Sequence, residues 1–210
     1  MGEVMEQDKK KHHVKTLSRG LSDAAQQRLQ RFKIEYKQSL RDDLEAVALV
    51  VIIWGPGVDV DSPVAQKRWA IREALEEKGH APVFSEELDD EDDLQDIIES
   101  GEGLLLKALH QAKIADFLIL LLDERATGVV TELNICTRRD IAAKVFVMLP
   151  ESFRDGFTYK AAITMIQGGN GAIQPYSHND LEQCYVLTEA VKRVEARRRL
   201  FAWQRSGAMV

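Results

Sequence analysis

Residues 114–150 read IADFLILLLDERATGVVTELNICTRRDIAAKVFVMLP, and this stretch decides the fold. Phe117 to Leu122 is an unbroken apolar run, as a strand buried on both faces requires. Asp123 and Glu124 follow it. The loop Arg125-Ala126-Thr127-Gly128 leads into a helix with Val129, Leu133, Cys136 and Ile141 as its apolar positions. Lys144 to Leu149 is a second buried strand, stopped by Pro150. Strand, loop, helix, strand is the repeating unit of a parallel sheet, and ligands bind outside the carboxyl ends of such strands. Asp123, Gly128 and Glu132 fall at that end. Glu132 stands in the first helical turn, near exposed backbone N–H groups and the positive end of the dipole.

Upstream, Ala46 to Ile53 is another nearly all-apolar strand. The loop Trp54-Gly55-Pro56-Gly57-Val58-Asp59-Val60-Asp61-Ser62-Pro63 follows it and runs into a helix over Val64 to Lys78, with Val64, Ile71, Ala74 and Leu75 inward and Gly79 as its stop. Glycines let a backbone approach a ligand closely, and the helix start behind them favours an anion. The same residues also make any ordinary turn. No GK[ST] follows, so this is not a Walker loop. Trp54, Gly55, Pro56, Gly57 and Asp59 are the candidate binding residues here. His80 opens a short strand ending at Phe84, at the end of the sheet away from the ligand. Ser85-Glu86-Glu87 leaves the ligand end, which makes Glu86 a candidate.

The stretch from Leu88 to Gly103 is acidic, without the glycine and spacing of an EF-hand, and reads as a solvated lid. Leu104 to Lys113 is helical and delivers the chain to Phe117. Downstream, Thr158 to Gln167 reads as a helix and Ala172 to Pro175 as a fifth strand. A long helix over Asp180 to Trp203 has Leu181, Cys184, Tyr185, Thr188, Val191 and Val194 inward. His178 either touches substrate or opens that helix. Arg197-Arg198-Arg199 complements the negative helix end or meets a phosphate.

The first 15 residues are charged and read as a disordered lead. From Leu17 to Leu44 a helix carries a stripe of Ala25, Leu29, Phe32, Tyr36, Leu40 and Leu44. The stripe packs on the flank of the same domain or meets a partner or a second copy. Domain organisation is therefore residues 1–45 as lead and helix, and 46–205 as the α/β domain.

Composition narrows the function. A formal net charge of -6 argues against nucleic acid as the ligand. The two cysteines, Cys136 and Cys184, belong to no CxxC or Cys/His cluster, which fits a cytoplasmic setting and argues against a metal site. No apolar run reaches the ~20 residues that span a bilayer, so no membrane is expected.

Five strands alternating with helices predict a doubly wound parallel sheet of flavodoxin-like order 2-1-3-4-5. The first and third strands are then neighbours, and the Gly55-Pro56-Gly57 loop faces the Asp123–Glu132 segment across one crevice. A carboxylate there, without a metal cluster, a Ser/His/Asp set or an activated cysteine, leaves few enzyme options, and glycosidic chemistry at a nucleoside or nucleotide is one of them. The ribosyl–base bond breaks through an oxocarbenium-like state that one carboxylate can stabilise or attack. No resident cofactor is needed; the nucleotide is the substrate.

The element order and the run "iaDfliLLLd…G…E…kvfVmlP" resemble the nucleoside 2-deoxyribosyltransferase-like proteins, relatives of the Toll/interleukin-1 receptor (TIR) domains, many of which cleave NAD. The resemblance covers roughly Val47 to Pro175. The family pattern D-x-G-T-x-x-E aligns with Ala126 to Glu132: Gly128 and Glu132 match, while Ala126 and Val129 stand at the aspartate and threonine positions. The resemblance implies that Glu132 attacks the anomeric carbon and that the chain is an N-glycosidase acting on a nucleotide, NAD or a nucleoside. It also implies a place among bacterial antiviral defence effectors, with the N-terminal stripe serving assembly or an activating partner. Asp123 would take the missing aspartate's part in binding ribose hydroxyls. The other reading is a non-catalytic nucleotide-binding sensor.

Overall fold

The computed structural model describes residues 21–58, 61–88, 101–124 and 129–205. The expected lead, Asp59, Gly128 and residues 89–100 of the acidic stretch lie outside the described residues. The chain divides into two compact units, residues 1–46 and 47–210.

The first unit, in its described part, is a single helix, α1 (Asp23–Glu45). The Ser22 side chain accepts the Ala25 N–H and caps it. Phe32 and Tyr36, one turn apart, stack with their ring centroids 6.1 Å apart, and Leu29 and Leu40 extend their stripe along the helix.

The second unit is a five-stranded, all-parallel sheet in the order β2-β1-β3-β4-β5, flanked by helices on both faces. Its strands are β1 (Val50–Trp54), β2 (Ala81–Phe84), β3 (Phe117–Leu121), β4 (Val145–Pro150) and β5 (Ala172–Tyr176). Every residue of β3 and β4 is buried, which is why these segments carry no alternation in sequence. Pro175 interrupts the hydrogen-bonding capacity of β5, and β5 is an edge strand, where that is tolerated.

One sheet face carries α2 (Pro63–Glu76), α7 (His178–Glu182) and α8 (Tyr185–Arg205). The other carries α3 (Gly101–Ile114), α4 (Val129–Cys136), α5 (Arg139–Ala142) and α6 (Phe157–Gly168). On this second face Ile52, Trp54, Leu118, Leu120 and Val147 pack with Ala112, Leu133, Cys136, Ile141 and Ile166 in one apolar cluster. Their burial drives the fold at about 25 cal/mol per Å² of apolar surface removed from water.

Two helices differ from expectation. The helix after β3 is not continuous: it stops at Cys136 and resumes at Arg139. Thr137 donates its hydroxyl to the Asn134 carbonyl, and Arg138 turns extended with ψ 133°. The Thr137 hydroxyl thus competes with the backbone at the break, as Thr does in helix interiors. The last helix is also broken, at Gln183, whose ψ of 176° ends α7. That break shifts the inward face. Val186, Ala190, Val194, Arg198 and Ala202 are buried, at spacings of four, while Cys184, Tyr185 and Thr188 are exposed. The expected inward set assumed one uninterrupted helix from Asp180.

Candidate active site

The carboxyl ends of β1 and β2 are tied together by one buried arginine. Arg68 projects from the inward stripe of α2, between Val64 and Ile71, and is fully buried. Its Nη2 donates to the Ile53 carbonyl at 2.8 Å, and its Nη1 donates to the Pro56 carbonyl. The same two nitrogens hold Glu86 at 2.8 and 3.0 Å. The guanidinium also lies over the Phe84 ring, 4.8 Å from its centroid. A planar fork is what such two-point gripping needs; an ammonium could not supply it. The Arg68–Glu86 pair therefore fixes the Gly55-Pro56 turn against the segment that follows β2.

Gly55 is required at this turn. A Cβ there would stand 2.8 Å from the Leu121 carbonyl oxygen and 2.9 Å from Cδ of Arg68. The loop therefore does abut the end of β3, as the strand order implied. What it approaches closely is the protein's own backbone and Arg68. Trp54 points into the core on the other face, where its indole N–H donates to Gln111 at 3.0 Å. Gln111 in turn donates to the Ser85 carbonyl at 3.1 Å, and the Ser85 hydroxyl donates to Glu86 at 2.9 Å. Trp54, Gly55, Pro56 and Glu86 thus belong to one hydrogen-bonded frame.

Glu132 stands in the first turn of α4, half-buried, with Oε2 fully buried and without a hydrogen-bond partner among the described residues. It lies within electrostatic reach of Glu86, Arg68 and Lys107. Burial pushes its carboxyl above the usual carboxylate range, its own backbone N–H pulls the other way, and Glu86 adds to the rise. For Glu86, burial acts upward, but the hydrogen bonds and charge of Arg68 outweigh it and hold the carboxyl low. Lys107, half-buried on α3, is lowered by desolvation against the opposing pull of Glu86 and Glu132. Cys136, one turn beyond Glu132, is buried, and desolvation pushes its thiol up, so it is no activated nucleophile.

Asp123 is placed elsewhere. With Glu124 it opens into a cavity of about 370 Å³ at the carboxyl ends of β3, β4 and β5, beside Ser62, Ser152, Tyr176 and His178. The Tyr176 hydroxyl donates to the Leu122 carbonyl, and the Ser152 hydroxyl to Glu124. Glu132 does not line this cavity. Glu132 lies within electrostatic reach of Glu86, and Asp123 lines a cavity that Glu132 does not.

Another histidine lies at the opposite end of the sheet. His80 is buried at the start of β2, where its Nδ1 accepts the Leu49 N–H at 3.3 Å and its Nε2 meets Glu195 at 3.0 Å. Asp116 likewise accepts the Val50 N–H at 2.9 Å, at the amino end of the sheet. Among the described residues no group of three His, Cys, Asp or Glu side chains is arranged to hold a metal, and no helix is long and apolar enough to cross a membrane.

Sequence reasoning missed Arg68, Lys107 and Gln111. The signal for Arg68 was its position on the inward stripe of α2, where a charge demands a partner. Comparison with known proteins brings no match, neither to a family model nor to a curated protein.

Proposed function

We propose that this protein is a cytoplasmic N-glycosidase that hydrolyses the ribosyl–base bond of a nucleotide, NAD or a nucleoside, with Glu132 as its essential carboxyl. One observation carries the reading: a carboxyl oxygen at the ligand end of a parallel sheet is buried with no partner among the described residues. A buried polar atom left in that condition costs about 1–3 kcal/mol. Such a cost is tolerated where the group serves chemistry, and perturbed carboxyls cluster at active sites. Within its electrostatic reach the Arg68–Glu86 pair is fixed by two hydrogen bonds, and catalysis by preorganised charge needs charges held in this way. As an effector of bacterial defence, the enzyme would assemble, or meet its activator, through the α1 stripe.

The test incubates the parent and Glu132→Gln with adenosine and inosine and follows release of the free base by chromatography. Release by the parent and none by the variant is the expected result. Equal release by both would sink the assignment.

A second reading is favoured by the cavity beside Asp123, because Glu132 does not line it. A ligand seated there would be bound and sensed without being cleaved. Calorimetry with the same compounds, followed by recovery of intact ligand, is the result expected of a binding module.

A further inference from the structure

Two carboxyls at one site seldom share one task. Glu86 and Glu132 reach the ligand end of the sheet from different elements, the turn after β2 and the first turn of α4. They lie within electrostatic reach of each other, with Arg68 and Lys107 acting on both. Their surroundings are opposite in kind. Both oxygens of Glu86 are occupied, one by Arg68 alone and the other by Arg68 and the Ser85 hydroxyl, while about 37% of its side chain remains open to solvent. A carboxylate gripped in this way is a poor nucleophile and a well-fixed negative charge. Glu132 has an oxygen sealed from water with no donor to satisfy it among the described residues. The protonated form suits that setting, since a neutral acid loses least on burial.

We propose that Glu86 is the second catalytic carboxylate of this site, steadying the ribosyl cation, while Glu132 acts as the acid that protonates the departing base. The assignment rests on the glycosidase reading above and refines its substrate class. A base that leaves as an anion, such as a purine from a neutral nucleoside or nucleotide, needs a proton in the transition state. Nicotinamide leaves NAD already neutral and needs none. The pair therefore favours neutral-base N-glycosides over NAD.

The step balances. The C1′–N bond breaks and its electron pair stays with the base nitrogen, which takes the proton of Glu132. Water adds to C1′, and its surplus proton returns to the Glu132 carboxylate. Glu86 forms no bond and is unchanged at the end. Arg68 is a positioning residue, since it acts only through Glu86. The division differs from the nucleophilic role that the family resemblance implies for Glu132. It follows the general rule that an environment which drives two carboxyls apart in acidity assigns them acid and base roles.

The experiment titrates the parent protein by carbon NMR with glutamate labelled at the carboxyl, assigning Glu132 and Glu86 through Glu132→Gln and Glu86→Gln. In the same buffers, hydrolysis of inosine, adenosine and NAD is followed across pH. The groups facing Glu132 are Glu86, Arg68, Lys107 and Cys136. The parent should show Glu132 titrating above Glu86, with nucleoside hydrolysis falling as Glu132 loses its proton and NAD cleavage lacking that fall. Glu86→Gln should cut nucleoside kcat at least 10-fold with KM little changed, and should lower the Glu132 midpoint. Circular dichroism checks that the variant is folded; the parent titration decides the ordering even if it is not. A Glu132 midpoint below that of Glu86 overturns the inference, as does parental kcat in folded Glu86→Gln. If Glu132→Gln is inactive while Glu86→Gln matches the parent, only this inference falls. If the parent cleaves none of the three compounds, the glycosidase reading falls and takes this one with it.

Discussion

Arg68 and Glu86 meet through two parallel hydrogen bonds of 2.8 and 3.0 Å, and the arginine is wholly inside the protein while the glutamate is partly open. The pair joins three segments that are far apart in sequence: α2, the end of β1 and the turn after β2. A buried cation is expensive to desolvate, and breaking such a pair by removing one partner strands the other. Arg68→Met is expected to lower stability by about 3 kcal/mol, read as a fall in the urea midpoint. Arg68→Lys should recover only part of it, because an ammonium cannot bridge two carboxylate oxygens and two carbonyls together.

Gly55 sits under the same guanidinium. A methyl group there would meet the Leu121 carbonyl oxygen at 2.8 Å, and that oxygen belongs to the backbone of a central strand. Neither side can yield cheaply, so Gly55→Ala should cost about 1–3 kcal/mol, as overpacking does. Gly79→Ala is the control for space: nothing lies within 4 Å of its added Cβ, although its φ of 77° disfavours alanine on backbone grounds. Thermal melts of both variants separate the two causes. The Gly55 variant should also move the indole environment of Trp54, seen as a shift in tryptophan fluorescence, and the Gly79 variant should not.

The sheet was legible because its signal is one-dimensional. Phe117 to Leu121 and Val145 to Leu149 are continuous apolar runs, and only a central strand of a parallel sheet buries every residue of such a run. Strand order then followed from the alternation of elements and the handedness of crossovers. Helix continuity was not legible. The break at Gln183 depends on a local ψ, and no Gly or Pro marks it. The site was legible by half. Glu132 and Glu86 could be placed at the ligand end from their positions after strands. Arg68 could not be assigned a partner, because hydrogen bonds from α2 to residues 12 to 18 positions away are tertiary facts. The separation of Asp123 from Glu132 likewise depends on how the chain leaves β3, which apolar periodicity does not encode.

His80 makes the amino end of the sheet sensitive to acid. Its Nδ1 accepts the Leu49 N–H, so the ring proton sits on Nε2, facing Glu195. Desolvation holds the ring below its ordinary value of 6.5, with Glu195 opposing and Arg198 and Lys78 assisting. A group with a lowered folded value binds more protons when unfolded, so its contribution is complete above about pH 6.5 and is lost as pH falls through the folded value. Glu195, also lowered on balance by His80 and Arg198 against its own burial, adds a second loss further into acid, below 4.5. The urea midpoint should therefore fall between pH 7 and pH 5. His80→Asn should start lower at pH 7 and vary less across that window. An equal slope in parent and variant would exclude His80 as its source.

Glu132 should oppose stability where it serves function. Burial raises its carboxyl, so the stabilising protonated form is fully present below the unfolded value and its contribution is lost as pH rises through the folded value. At pH 8 the ionised carboxylate faces Glu86 with one oxygen buried and unsatisfied among the described residues. Glu132→Gln removes that charge and leaves a neutral amide of the same shape. The variant is expected to melt higher than the parent at pH 8, with the difference shrinking as pH falls and the parent carboxyl takes up its proton. A glutamate placed only to complement the helix start would behave in the opposite way, since losing its charge forfeits about 0.3–1 kcal/mol of favourable interaction with the dipole. Melting curves of the two proteins at pH 5 and pH 8 thus distinguish a carboxyl kept for chemistry from one kept for the helix. Stabilisation together with loss of base release is the pattern a catalytic group leaves, because active sites hold strain and charge that folding alone would discard.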